Sequence, residues 1–250
     1  MLGLRTLSIA TVAAVVAAFS LVFYYAPLDA DQGFIQKIFY LHVPLAIAAL
    51  VGFVVAAVHA IRHLRTDDPV HDARSYVSIH ISVIFGVAVL VTGSIWARAS
   101  WGKWWVWDEP TLVSFLIVFL LYATYYPLRY AIEDRDRQAR YASVFAITAG
   151  AFVPLNFLAV RLAESLLHPR VFATAEGGMP GSMWLTFCVS LLGIGLLWVT
   201  LVRFELTAKD ASAQLSRLRR ALEARPRPAA PAGPESRPSA TVPAQPTAGS

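Results

Sequence analysis

The sequence predicts an all-α polytopic membrane protein with six transmembrane helices, both termini cytoplasmic and a tryptophan-rich loop on the outer side. Three observations carry this expectation. Hydrophobic residues make up 57% of the 250-residue chain and charged residues only 15%, against roughly 25% charged in soluble domains. The apolar residues gather into six runs, each close to the about 20 residues that a helix needs to cross a hydrocarbon core about 30 Å thick. Finally, Lys and Arg fall unevenly on the two sides that those runs define.

The first run, 7–25, follows Arg5. It is longer than the apolar stretch of a signal peptide and lacks a small-x-small cleavage site after it, so it reads as a span rather than a removed leader. The second, 41–61, opens at Tyr40-Leu41-His42-Val43-Pro44. Proline is tolerated in a first helical turn, so the helix is expected to start here with His42 at the membrane surface. The third, 76–96, carries His80 about one turn in from the cytoplasmic side. The fourth, 111–130, follows Glu109-Pro110-Thr111, with proline preset for the first helical positions. The fifth and sixth are 141–160 and 183–203.

With alternate loops on opposite sides, one set holds Arg5, Arg62, Arg65, Arg74, Arg129, Arg135, Arg137, Arg140 and eight more basic residues in the tail, and the other only Lys37, Arg98, Lys103, Arg161 and Arg170. Sixteen against five, or eight against five without the tail, places the first set in the cytoplasm. Segments 26–40, 97–110 and 161–182 then lie outside. We divide the chain into a membrane domain over 1–203, a charged cytoplasmic helical extension over 204–225 and a disordered tail over 226–250, where seven of the fifteen prolines fall.

A net charge of +5 and an isoelectric point near 9.6 would suggest nucleic-acid binding in a soluble chain. Here the basic residues sit where the positive-inside rule puts them, so no nucleic-acid partner is expected. The single cysteine, Cys188, excludes an internal disulfide and a cysteine-based metal site. There is no glycine-rich phosphate loop, so any nucleotide-driven step must belong to a partner. Nor is there a nucleophile with its base, and the chain is not expected to be an enzyme.

The chemistry concentrates in Trp101-Gly102-Lys103-Trp104-Trp105-Val106-Trp107-Asp108, which holds four of the seven tryptophans. An interfacial aromatic belt accounts for single tryptophans, but belts are spread around a perimeter. Four indoles in seven residues, closed by a carboxylate, suit a flat apolar ligand such as a porphyrin. Asp108 is expected to orient the loop or to accept a hydrogen bond from an indole or from the far nitrogen of a ligand.

Haem iron takes imidazole nitrogen, and the chain has six histidines. His59, His63 and His71 sit at the cytoplasmic boundary among charges. The i, i+4 pair His59 and His63 could share a metal, although a solvated face is the simpler reading. His80 is an ionisable residue at membrane depth with no partner visible in the sequence. His42 and His168, the latter in Leu166-Leu167-His168-Pro169, flank the tryptophan segment on the outer side. Each alone suits an ordinary interfacial or loop position; together they suit a bis-histidine site. Propionates would call for cations, with Lys37, Arg98, Lys103, Arg161 and Arg170 on that side.

The segment 101–108 closely resembles the tryptophan-rich "WWD" motif of haem-handling proteins in cytochrome c biogenesis. Within that superfamily, six spans over about residues 5–203 resemble CcmC, the haem exporter protein C family. Lys37-Ile38-Phe39-Tyr40-Leu41-His42-Val43-Pro44 is similar to the family segment with the first conserved histidine. Pro154-Leu155-Asn156-Phe157-Leu158-Ala159-Val160 with Leu167-His168-Pro169 is similar to the segment with the second. The chain departs from the family at Glu109, where a basic residue is usual, and at Arg161-Leu162-Ala163-Glu164-Ser165.

The resemblance implies His42 and His168 as haem ligands and Trp101, Gly102, Trp104, Trp105, Val106, Trp107 and Asp108 as the platform. The cargo would be haem b, non-covalently held in transit. A CcmE-like haem chaperone, ATP-binding cassette subunits CcmA and CcmB and a small CcmD-like protein are the implied partners, at the cytoplasmic (inner) membrane. Two rivals stand beside this reading. A b-type or quinone-linked electron carrier would need histidines deep in its helices, where only His80 approaches. A transporter or scaffold would place its site at the midplane between broken helices.

Overall fold

The computed structural model describes residues 3–162 and 179–223, without the side chains of 159 and 160. Its helices are α1 (Leu4–Tyr24), α2 (Phe39–Thr66), α3 (Pro69–Trp101), α4 (Pro110–Ala123), α5 (Tyr125–Tyr130), α6 (Arg135–Leu162) and α7 (Gly181–Glu223), with a 3-10 helix over Phe34–Ile38 leading into α2. Among the described residues six spans are long and apolar enough to cross a membrane, counting α4 and α5 as one. The protein is an all-α polytopic membrane protein. In hydrocarbon the backbone has no water to bond, and a helix meets that demand within its own segment.

The helices outrun the apolar runs that predicted them. At about 1.5 Å per residue, the 33 residues of α3 reach about 50 Å, well beyond a hydrocarbon core. α7 holds 43 residues. The chain divides into two compact units, Met1–Asp210 and Ala211–Ser250, and the described residues of the second, 211–223, are helical and exposed.

Local chemistry sets the ends. Asp67 takes a left-handed conformation, φ 52°, and closes α2 with its N–H on the His63 carbonyl, 2.8 Å. Asp68 then caps α3, its Oδ1 accepting from the Val70 N–H at 2.9 Å, with Pro69 at the first helical position. At the other end of α3, Gly102 has φ 72° and donates to the Arg98 carbonyl, 3.1 Å, a conformation that costs a residue without Cβ little. α4 begins at Pro110 as expected. It stops at Ala123, because Pro127 has no N–H to offer that residue's carbonyl and its ring crowds it.

α2 begins two residues before the expected 41, and Pro44 falls beyond its first turn. It starts at Phe39, so Pro44 is buried inside the helix and His42, not the proline, occupies the first turn. The preceding 3-10 helix supplies the extra turn that the proline signal hid.

Small residues let the helices approach. Ala49, Ala56 and Ala60 of α2 are wholly buried. Gly52 of α2 leaves room for Ser82 of α3 and Trp198 of α7, whose Nε1 donates to Ser82 Oγ at 3.0 Å. A Cβ on Gly150 of α6 would stand 2.6 Å from that of Ala57. Between these contacts Phe53 and Tyr122 stack with centroids 3.8 Å apart. Outward-facing residues such as Val51, Val54, Ile84, Val87, Val91 and Leu192 are exposed, as lipid contact requires.

Candidate functional site

The start of α2, the end of α3, the start of α4, the end of α6 and the start of α7 share one end of the bundle, as alternating helix directions dictate. His42 stands there, half-buried against α3. Its Nδ1 lies 2.9 Å from Thr92 Oγ1, and Trp96 meets its ring edge-on at 5.8 Å between centroids. Between them, Gly93 offers no side chain; a Cβ there would stand 2.9 Å from His42 Cε1. Trp96 is itself fixed, since its Nε1 donates to Gln32 Oε1 at 2.7 Å and Ser100 Oγ donates to the same oxygen at 3.3 Å. Phe39 and Tyr40, buried one turn away, pack against Trp96 and Phe187.

Trp96 is six residues from Gly102 on the same helix, about 9 Å of rise, and there the tryptophan loop begins. Trp104 and Trp107 are 61% and 71% exposed, unusual for indoles and available as flat faces. Trp105 is half-buried, edge-on to Trp107 at 6.0 Å, and its Nε1 is buried without a hydrogen-bond partner among the described residues. Trp101 closes α3 and Val106 is half-buried, its carbonyl accepting from the Glu109 N–H at 3.4 Å. Asp108 is exposed, whereas its neighbour Glu109 is 0% exposed. The sequence offered both carboxylates and gave no sign of which one faces inward.

The basic residues separate. Lys37 is buried, and its Nζ donates to the carbonyls of Val22 at 2.6 Å and Phe23 at 3.2 Å, which end α1. It is thus committed to that helix end rather than to a ligand anion. Arg98 reaches the Gly102 carbonyl, and Lys103 is exposed beside it. Arg161 is exposed at the end of α6. Arg170, like His168 with its neighbours Leu166, Leu167 and Pro169, lies outside the described residues. Of the second family-like segment, Asn156 is described: it is buried and donates to Ser114 Oγ of α4 at 2.7 Å.

The other histidines are at the opposite end. His63 is buried with Nδ1 2.9 Å from Ser143 Oγ, which corrects the solvated face expected for it. His59 meets His71, Nδ1 to Nδ1 at 3.3 Å. His80, expected without a partner, stacks on Tyr76 at 6.1 Å and bonds Tyr126 at 3.1 Å. No group of three His, Cys, Asp or Glu able to hold a metal occurs among the described residues. Thr92, Gly93, Trp96 and Gln32, which the sequence reading passed over, shape the surroundings of His42.

The family model described as "CcmC: Heme exporter protein C" matches residues 3–221. Heme exporter protein C of Rhodobacter capsulatus is 31% identical over 205 residues, covering 80% of this chain and 84% of that protein. The Paracoccus denitrificans protein of the same name is 30% identical over 204 residues, covering 79% and 84%, and that of Escherichia coli K12 is 33% identical over 149 residues, 60% of each. The family match takes in all six spans, the tryptophan loop, His42 and His168, and the chain belongs to the CcmC, heme exporter protein C, family.

Proposed function

We propose that this chain works in haem export for cytochrome c biogenesis, holding haem b non-covalently at the tryptophan-loop end and handing it to a CcmE-like chaperone. One observation carries the reading: an imidazole held by α3 shares a helix end with two exposed indoles and an indole N–H that has no partner among the described residues. A porphyrin is a wide apolar plate whose iron takes imidazole nitrogen, and indoles suit its faces and edges. His42 is the ligand on α2. His168, in the connection from α6 to α7, is the second. Arg98 and Lys103 flank the loop as partners for propionates.

The distribution of Lys and Arg directs this end outward from the cytoplasm, at the periplasmic face of the inner membrane. ATP-binding cassette subunits CcmA and CcmB with a CcmD-like protein would supply the energy that this chain has no phosphate loop to capture. Ligand exchange at iron suffices for the handover, with no bond made or broken in the porphyrin and no enzymatic step.

The test is the absorption spectrum of the purified full chain beside H42A, H168A, H80A and the W104A/W105A double variant. We expect a Soret band in the wild type, shifted or lost in both outer histidine variants and kept in H80A. Loss in H80A with H42A and H168A unchanged would replace this reading by the electron-carrier one. No haem in the wild type under haem-replete conditions would leave a transporter or scaffold.

A further inference from the structure

The hydrogen bond between His42 and Thr92 has a direction. Thr92 Oγ1 lies 2.7 Å from the Ala88 carbonyl and 3.2 Å from that of Val89. A carbonyl oxygen only accepts, so the single hydroxyl hydrogen of Thr92 points back along its own helix. Toward His42, 2.9 Å away, the threonine therefore presents a lone pair, and the proton between them belongs to His42 Nδ1. In a neutral imidazole that leaves the other lone pair on Nε2. A ligating histidine has its orientation and tautomer set by the partner of its second nitrogen.

Gly93 governs the distance. Any Cβ there would press on His42 Cε1 at 2.9 Å, with Nδ1 and Nε2 at 3.6 and 3.7 Å. The ring would move off α3 and away from the Thr92 hydroxyl. Trp96, four residues beyond Thr92, limits the ring from its edge. Thus one turn of α3 meets the imidazole carried by α2 at its Nδ1, its Cε1 and its edge.

We infer that Thr92 and Gly93 are positioning residues of His42, holding it as the Nδ1–H tautomer, the form that ligates a metal through Nε2. This rests on the haem-site reading above for its purpose, and on the apoprotein geometry alone for the tautomer.

Two readouts separate these. Histidine-selective ¹⁵N NMR of the full-length apoprotein in detergent, assigned by the H42A spectrum at a pH where the ring is neutral, is expected to show His42 protonated at Nδ1. T92V, equal in shape and lacking the hydroxyl, should release the ring to a mixture with the Nε2–H form, and T92S should restore the lock. Haem titration of the same proteins should show T92V and G93A weaker by roughly 10–100-fold, the range for losing a ligand's outer partner, with T92S near wild type.

A wild-type His42 protonated at Nε2 overturns the inference whatever the variants' stability. So does a T92V protein with unchanged tautomer and haem affinity, which leaves the haem-site reading intact if H42A still loses haem. Haem binding unaffected by H42A removes that reading and the inferred purpose together.

Discussion

The two ends of the bundle handle polar groups in opposite ways. At the end away from the tryptophan loop most of the buried polar groups meet one another, Ser75 Oγ excepted: Arg129 grips Asp72 through two bonds of 2.8 and 2.6 Å and donates to Tyr125, while its guanidinium lies over Tyr76. His63 has Ser143, His80 has Tyr126, and His59 has His71. At the tryptophan-loop end, indole faces stand exposed and Trp105 Nε1 has no partner among the described residues. A closed network of this kind holds helices together, since every member left unpaired would be costly. An end with exposed indole faces and such a donor is where, on the proposed function, a ligand would bind. The contrast teaches that histidine count is no guide to a haem site: four of six histidines lie where the protein already occupies them.

If this division is right, stability and haem binding should respond to different residues. The largest effect expected is in D72A. The pair is only 11% and 15% exposed, and stranding one member of a buried pair costs about 3–5 kcal/mol; unfolding in detergent should show that loss, with haem affinity of the folded fraction unchanged. Next, W104A/W105A should leave the unfolding midpoint near wild type but weaken haem binding. Two aromatic contacts at about 0.5–1.5 kcal/mol each correspond to roughly 5–150-fold in Kd. S143A sharpens the comparison further, for it strands buried His63 Nδ1 at about 1–3 kcal/mol of stability, measured in the same unfolding experiment, with the Soret band unmoved. R140A should do least. Its partner Asp67 and Arg140 itself are 65% and 63% exposed, and such pairs contribute about 0–1 kcal/mol. A shifted Soret band in S143A, or an intact haem titration in W104A/W105A, would break the division.

The spans were legible because length and apolarity alone decide which segments enter a bilayer, and both are written along the chain. Pro110 likewise acts on its own neighbours, so the helix start it causes was legible, whereas the ends that Asp68 and Gly102 give α3 lie beyond the apolar run 76–96 and were not read. The cost of Pro127 was equally local, yet it was hidden inside a run still apolar enough to pass as one span. Pro44 misled for a related reason: the turn that precedes it, Phe34–Ile38, holds Gln36 and Lys37, and nothing in their polarity announces that both are buried.

Of the candidate site, the tryptophan loop and His42 could be found from residue type and spacing. Their surroundings could not. Thr92 and Gly93 sit with Ser94 in an otherwise apolar run that does not mark which face meets α2, and Trp96 looks like any interfacial indole. Which histidine meets which partner is a property of packing between helices far apart in sequence, as Ser143 shows for His63.

Lys37 carries a consequence for how the chain is built. Its ammonium finds the Val22 and Phe23 carbonyls only after α1 lies beside α2. Before that, a positive charge and an open helix terminus each face the interface alone. The lysine is thus a latch between the first two spans, closed only once both are in place.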